Sequence, residues 1–330
     1  MNPSGHLTTD DYIAGIRSGD RGIMGRAITL IESRAPHHRR ETDALISALL
    51  PFSGTALRMG ISGIPGVGKS TLIETFGTLL TGRGLKVAVL AIDPTSSRSG
   101  GSILGDKTRM EKLAADPLSF IRPSPTSGHL GGVARTTRES VIVCEAAGYD
   151  VVLIETVGTG QSETCVADMV DVFLLLILPN AGDELQGIKR GILELADIVA
   201  VNKVDNQDDP AARQTCQDYR CALNIVGRTT PSGWKTPVLP ISALRNQGLE
   251  TLWDTIQAYH TLQKSSGTLE ARRQQQKHAW MWSLVQDRLD TLFREHPDVR
   301  RRLPGIEADI SRGVLDPSKA AEELLAAFIA

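Results

Sequence analysis

The stretch that decides the fold of this chain lies near its first predicted strand and reads Gly63-Ile64-Pro65-Gly66-Val67-Gly68-Lys69-Ser70-Thr71. It fits the pattern G-x-x-x-x-G-K-[ST], whose glycines let successive backbone N–H groups point toward a phosphate. Residues 56–62 before it predict a short strand, and residues 71–80 after it predict an amphipathic helix. We therefore expect all nine residues to bind a nucleoside triphosphate, with Lys69 at the β- and γ-phosphates and the Ser70 hydroxyl on Mg²⁺.

Composition limits the classes of protein that the chain can represent. Its 330 residues suggest about two domains, and 41% hydrophobic with 22% charged residues is typical of a soluble globular protein. The formal net charge of -2 gives no bulk positive field, so we expect no nucleic-acid partner and no membrane partner. The N-terminal residues lack a signal-peptide pattern, and the four cysteines contain no C-x-x-C pair, which predicts a cytoplasmic location.

Strands and helices alternate after the first predicted strand, which predicts an α/β fold with a mostly parallel, doubly wound sheet. We expect a helical N-terminal extension over residues 1–55, a phosphate-loop domain over 56–263 and a C-terminal helical arm over 264–330. In the extension, Asp20 is expected to cap the first of two amphipathic helices. The further predicted strands span 86–92, 119–122, 150–155, 171–178, 197–202 and 237–241.

Two short segments indicate that the base is guanine. Asn202-Lys203-Val204-Asp205 closes an apolar strand and fits N-K-x-D, in which the carboxylate of Asp205 can accept hydrogen bonds from guanine N1–H and the exocyclic amine. Lys203 is expected to lie along the base, and Asn202 to tie the motif to neighbouring loops. The loop after the next strand, Ser242-Ala243-Leu244, matches the S-A-[KL] segment that backs the base with a main-chain N–H. The nucleotide is therefore expected to be GTP or GDP, bound by a P-loop GTPase.

Acidic residues at strand ends are the candidates for the magnesium site. Residues 150–158 resemble a switch II segment, D-x-x-G, with Glu155 in place of the aspartate and Gly158 placed to bind the γ-phosphate through its N–H. Asp93 at the end of the second strand and Asp106 after a glycine-rich loop are the other metal or water-positioning candidates. The loop between them is expected to behave as switch I.

The residue that orients the attacking water is left open by the sequence. Ras-like enzymes place a glutamine directly after the switch II glycine, but here Thr159 and Gly160 precede Gln161. Either Gln161 reaches the water from a shifted loop, or hydrolysis is slow alone and a partner completes the site. We therefore predict a GTPase that is slow in isolation and stimulated by its partner.

The C-terminal arm carries an apolar stripe at helical spacing, formed by Met281, Val285, Leu289 and Leu292. One interpretation is that the stripe packs on its own chain, and the other is a two-helix arm that forms a homodimer. The position of the stripe after the nucleotide domain favours the dimerising arm.

Four longer segments carry a resemblance to a known family, and generic GTPases lack all of them. They span 100–110 (GGSILGDKTRM), 122–132 (RPSPTSGHLGG), 155–163 (ETVGTGQSE) and 182–189 (GDELQGIK). On these segments the chain resembles the MeaB family, also called ArgK-type, the G-protein chaperones of cobalamin-dependent acyl-CoA mutases.

The resemblance implies a homodimer whose GTPase domains bind such a mutase, most often methylmalonyl-CoA mutase. It implies that Lys69, Asp93, Asp106 and Glu155 serve the phosphates and Mg²⁺, and that residues 180–190 form a third switch. It also implies that GTP binding and hydrolysis gate adenosylcobalamin loading, protection and reactivation of the mutase. Two alternatives stay open: a metal-insertion GTPase, although His37-His38 is the only adjacent histidine pair, and a kinase of a transport protein.

Overall fold

The computed structural model describes residues 7–33, 35–93, 110–125, 130–156, 162–179, 190–206, 208–226 and 232–329. The chain divides into two compact units, residues 1–276 and 277–330. The first contains the sheet, and the division falls inside a long helix. Neither unit tests the predicted domain bounds, which stay a prediction.

A seven-stranded sheet with the order β3-β2-β4-β1-β5-β6-β7 forms the centre of the first unit, and every strand pair in it is parallel. Each strand lies where the apolar runs of the sequence predicted one, so the α/β fold is confirmed. Because β1 lies at the point where the strand order reverses, a ligand is expected to bind beyond its carboxyl end. The strands are β1 (Leu57–Gly63), β2 (Val87–Asp93), β3 (Ser119–Pro125), β4 (Val151–Glu155), β5 (Val172–Ile177), β6 (Ile198–Val201) and β7 (Val238–Pro240).

Helices lie on both faces of the sheet, as expected for a doubly wound fold. The helices of the described residues are α1 (Thr9–Arg17), α2 (Arg21–Glu32), α3 (Pro36–Leu49), a 3₁₀ turn (Leu50–Phe52), α4 (Lys69–Gly82), α5 (Glu111–Ala115), α6 (Leu130–Ala146), α7 (Ser162–Ala167), α8 (Arg190–Leu195), α9 (Pro210–Val226), α10 (Leu249–Ser265), α11 (Thr268–Glu295), α12 (Pro297–Ser311) and α13 (Pro317–Ile329).

Alternate residues of β5 show how the two faces are filled. Leu174 packs into a cluster that includes α4, α5 and α10, whereas its neighbour Leu175 packs into a second cluster with α8 and α9. Successive side chains of a strand point to opposite faces, so a strand covered on both sides must be apolar throughout. This explains why residues 172–177 form an unbroken apolar run whose members are all buried.

Three aspartates form a row along the N-terminal edge of the sheet, each one residue before its strand. The backbone N–H groups of Asp150, Asp171 and Asp197 donate to the carbonyl oxygens of Lys86, Arg58 and Phe173, respectively. The N–H groups of those three residues donate in turn to the aspartate carboxylates, and all six distances are 2.8–2.9 Å. Parallel strands leave such N–H groups unpaired at their beginnings, and an unpaired buried donor is costly. The aspartates therefore fix the register at which β4, β5 and β6 begin.

The N-terminal helices α1–α3 pack together and against α6. Asp20 caps α2 as predicted, because its carboxylate accepts from the N–H groups of Gly22 and Ile23. The buried face of α2 is apolar, which anchors the extension to the nucleotide-binding unit.

The beginning of α11 is held to the aspartate row by two adjacent arginines. Arg272 donates to Asp197 at 3.1 Å, and Arg273 donates to both oxygens of Asp171 at 2.8 and 2.6 Å. Both carboxylates are fully buried. These ion pairs fix the first two turns of α11 on the first unit.

The second unit is helical and carries an exposed apolar stripe. Phe328 of α13 packs edge-on against Phe293 at a centroid distance of 5.4 Å. The predicted stripe on α11 is solvent-exposed, and Trp282 beside it is 61% exposed. Among the described residues, no helix combines the length and the apolar character that a membrane span requires.

Candidate nucleotide site

The phosphate loop connects β1 to α4, and its glycines are required by the space around them. Gly63 has a φ of +154°, and a Cβ there would lie 2.6 Å from the carbonyl oxygen of Leu176. Gly68 caps α4 at a φ of +100°, and a Cβ there would lie 2.6 Å from Asn202 Nδ2. Since only glycine adopts such conformations without strain, the loop places its backbone close to β5 and to the guanine motif.

Lys69 begins α4 and is buried under the loop. Its ammonium donates to the carbonyl oxygens of Gly63 at 2.8 Å and Ile64 at 3.2 Å. Burial lowers the pKa of Lys69 from its usual value, and the negative charges of Glu155 and Glu163 oppose that shift. The loop thus holds a cation at the position where the β- and γ-phosphates are expected.

Ser70 and Glu155 lie together at the expected magnesium position. Ser70 Oγ donates to Glu155 Oε1 at 3.0 Å, although the two residues come from α4 and the end of β4. Thr156 continues β4 beside β1 through a backbone bond to Ile61, which fixes the carboxylate at the strand end. Hydroxyl and carboxylate oxygens are the ligands that Mg²⁺ prefers, so these two residues fit the ion.

Asn202 joins the phosphate loop to the base-binding segments. Its Nδ2 donates to the Val67 carbonyl at 2.8 Å, and its Oδ1 accepts from the Ala243 N–H at 3.1 Å. The side chain is buried. The tie between loops that the N-K-x-D motif predicted is therefore present.

The guanine motif is bonded to the Ser242-Ala243-Leu244 loop. Ser242 Oγ donates to Asp205 Oδ1 at 2.5 Å, which orients the carboxylate, and in turn accepts from the Arg245 N–H at 3.0 Å. Lys203 has a φ of +65°, a conformation that non-glycine residues hold only where the surroundings impose it. Lys203 and Leu244 are both exposed, the latter at 73%.

The remaining predicted residues fall into two groups. Pro65, Gly66 and Thr71 are exposed on the loop and the first turn of α4. Asp93 ends β2 at the same edge of the sheet, but its side chain lies outside the described part of the structure. Asp106, Gly158 and Gln161, together with the predicted switch I loop and residues 180–189 of the third switch, also lie outside it. Within the described residues, no group of three or more histidine, cysteine or acidic side chains is arranged to hold a metal ion.

Sequence reasoning did not single out Glu163 as a site residue. It lies at the start of α7 and is buried, and its charge acts on Lys69 together with that of Glu155. A glutamate at the beginning of a short helix is ordinary, so its position gave no separate signal.

The fold and the activity of its relatives place this chain in the class of P-loop GTPases. A family model described as methylmalonyl Co-A mutase-associated GTPase MeaB matches residues 24–298, and the chain belongs to that family. A Caulobacter vibrioides protein named as a GTPase is 53% identical over 98% of this chain and 98% of its own.

Two further comparisons support the same membership. The mouse protein named methylmalonic aciduria type A homolog, mitochondrial, is 46% identical over 97% of this chain and 79% of its own length. A solved structure described as LAO/AO transport system kinase covers 100% of this chain and 99% of its own with a TM-score of 0.77 at 35% identity. The predicted resemblance, the fold and the GTPase activity are confirmed by these findings.

Proposed function

We propose that this GTPase is a chaperone of a cobalamin-dependent acyl-CoA mutase, with methylmalonyl-CoA mutase as its partner. The observation that carries the proposal is the family match over residues 24–298, whose description names that mutase. The name of the mouse relative, which refers to methylmalonic aciduria, supports the same partner. On this proposal, GTP binding and hydrolysis gate adenosylcobalamin loading, protection and reactivation of the mutase.

The nucleotide site supplies the groups that such a switch needs. Lys69 binds the β- and γ-phosphates, while Asp205, oriented by Ser242, selects guanine. Ser70 and Glu155 would hold Mg²⁺, which would neutralise charge on the phosphates. Ser70, Glu155 and the phosphate loop that Asn202 ties would all be held by the bound nucleotide and its Mg²⁺. Hydrolysis of the nucleotide is therefore expected to alter several loops at one edge of the sheet. Asp93, Asp106, Gly158 and Gln161 are proposed to complete this end of the site.

The experiment measures coupling in both directions. Purified mutase is expected to raise the rate of GTP hydrolysis, and a non-hydrolysable GTP analogue is expected to change the affinity for the mutase in a pull-down. Linkage requires that the mutase then change the affinity for that analogue by the same factor. Lys69→Ala serves as the control that removes nucleotide dependence. Unchanged turnover and unchanged affinities at saturating mutase would contradict the chaperone proposal.

A homodimer formed through the apolar stripe of α11 is part of the same proposal. Trp282 and Leu289 are exposed on one helix, and a second copy of this chain would cover them. Leu289→Glu is expected to halve the mass measured by light scattering without changing GTP affinity. A monomeric wild-type chain would contradict the dimer and leave the GTPase assignment in place.

The kinase alternative is not supported, because the family model and the Caulobacter vibrioides relative are described as GTPases, although one similar structure is described as a transport system kinase. It is distinguished by following the terminal phosphate of γ-labelled GTP. Hydrolysis releases all the label as inorganic phosphate, whereas label retained on a protein partner would favour the kinase.

A further inference from the structure

Glu163 is a buried carboxylate to which the guanine and magnesium assignments give no function. It is the second residue of α7 and is only 2% exposed. Its Oε2 forms no hydrogen bond with any described residue. Burying a carboxylate oxygen without a donor is costly, so a donor from outside the described residues is expected there.

Three other buried glutamates have hydrogen-bond partners of a kind that Glu163 lacks among the described residues. Glu145 accepts from the Arg58 guanidinium and the Gly54 N–H, and Glu155 accepts from Ser70. Glu139 also has an unpartnered Oε2, but its Oε1 pairs with Arg135 at 2.7 Å. Among the described residues, Glu163 has no comparable cationic partner in hydrogen-bond contact. Its Oε2 therefore lacks a donor among the described residues.

The helix α7 packs beside the strand that leads into the phosphate loop. The helix packs tightly on β1, because a Cβ added to Gly60 would lie 2.8 Å from Val166 Cγ1. The strand β1 leads directly into the phosphate loop. The charge of Glu163 acts on the Lys69 ammonium, yet that ammonium donates to the loop carbonyls of Gly63 and Ile64. Glu163 thus lies near the triphosphate position.

A partner of Glu163 Oε2 at the triphosphate position must be able to donate a hydrogen bond. The phosphate oxygens of GTP are acceptors and carry negative charge, so they cannot pair with a carboxylate. Water can donate to it, and hydrolysis requires one water held in line with the bond that breaks. The nearby carboxylate of Glu155 differs in that its Oε1 accepts from Ser70 at the expected magnesium position. We propose that Glu163 accepts a hydrogen bond from the attacking water and orients it toward the γ-phosphorus.

Hydrolysis transfers the γ-phosphoryl group of GTP to the water that Glu163 orients. The water oxygen forms a bond to the γ-phosphorus while the bond from that phosphorus to the β–γ bridging oxygen breaks, and its electron pair leaves on GDP. One water proton passes to the Glu163 carboxylate and from there to the released phosphate. The inference rests on the GTPase activity and is independent of the mutase partner.

The test compares Glu163→Gln with Glu139→Gln in the full chain. Both substitutions neutralise a buried glutamate with an unpartnered oxygen, but Glu139 lies on α6 next to Arg135 and Asp43 rather than at the phosphates. Glu163→Gln is expected to lower the single-turnover rate of GTP hydrolysis by about 100-fold or more, the range for a lost acid–base contact, with GTP and GDP affinities changed less than about threefold. Glu139→Gln is expected to hydrolyse GTP at the wild-type rate.

A second measurement does not depend on turnover. GDP with aluminium fluoride mimics the state in which the water is in line, so Glu163→Gln is expected to lose the tight complex with this pair while binding GDP normally. If that variant does not fold, Glu163→Asp withdraws the carboxylate by about 1.5 Å and is expected to slow hydrolysis while GDP binding is kept. A wild-type rate in these variants, or a loss of nucleotide affinity as large as the loss of rate, would overturn the proposal.

Discussion

Replacing Arg273 by methionine is expected to destabilise the first unit more than any exposed charge change. The guanidinium of Arg273 donates to both oxygens of Asp171 at 2.8 and 2.6 Å and also to the carbonyl oxygens of Gly54 and Ala56. Burial disfavours the charge of Arg273, but the hydrogen bonds and charge of Asp171 outweigh it, so the pKa of Arg273 is raised. Methionine keeps most of the apolar stem and removes the charge.

The size of the destabilisation follows from the buried Asp171 carboxylate, which loses its ion-pair partner. Asp171 is fully buried and also accepts from the Arg58 N–H at the start of β1. Breaking a buried ion pair by removing one partner costs about 3–5 kcal/mol, because the other charge stays buried. For a unit of this size the same loss lowers Tm by roughly 6–20 °C. Because the pKa of Arg273 is raised, its guanidinium stays charged at neutral pH, where the loss is expected.

The assay is urea unfolding followed by circular dichroism, with Arg294→Met as the matched control. Arg294 pairs with Asp290 at 2.9 Å, but both side chains are more than half exposed, so its loss is expected to change nothing measurable. The double variant Arg273→Met with Asp171→Asn is expected to lose less stability than the sum of the single variants, since no unpaired charge remains. A loss below about 1 kcal/mol in Arg273→Met would refute the reasoning from burial.

Three further predictions concern the nucleotide site and are measured by fluorescence titration with a labelled nucleotide. Gly68→Ala is expected to weaken GTP and GDP at least about tenfold, because its Cβ would meet Asn202 Nδ2 at 2.6 Å and its φ of +100° is strained for alanine; unchanged affinity would show that the loop yields freely. Lys69→Ala is expected to lose nucleotide binding while staying folded, and normal affinity would contradict the phosphate assignment. Asp205→Asn is expected to weaken GTP by about 100-fold or more through two lost charged hydrogen bonds and to improve binding of xanthosine triphosphate, whose C2 carbonyl suits an amide donor; retained preference for GTP would exclude Asp205 as the residue that selects guanine.

The sequence was sufficient to locate the sheet and to indicate candidate residues at the carboxyl ends of its strands. The alternation of strand and helix patterns predicted the strands, and several of them are continuous apolar runs because buried parallel strands must be apolar on both faces. The motif at 202–205 predicted the tie that Asn202 makes between loops, and the motif at 63–71 predicted the turn between β1 and α4 that contains Lys69. The geometry of each motif depends on residues that are close in the sequence. The motifs come together because the carboxyl ends of parallel strands lie at the same edge of the sheet.

Other features could not be predicted because they join distant parts of the chain. Arg273 and Asp171 are about one hundred residues apart, and nothing in the spacing pairs that arginine with that aspartate. The burial of Glu163 arises from the packing of α7 on β1, which a single sequence does not specify. The bond between Ser70 and Glu155 likewise needed the fold to bring α4 and β4 together.

The most direct test of the account is calorimetric titration of the full chain with GTP, GDP and ATP in the presence of Mg²⁺. The account predicts that GTP and GDP bind and that ATP binds at least about 100-fold more weakly, because adenine would leave the Asp205 carboxylate without its donors. Binding of ATP as tight as that of GTP, or no binding of either guanine nucleotide, would contradict it.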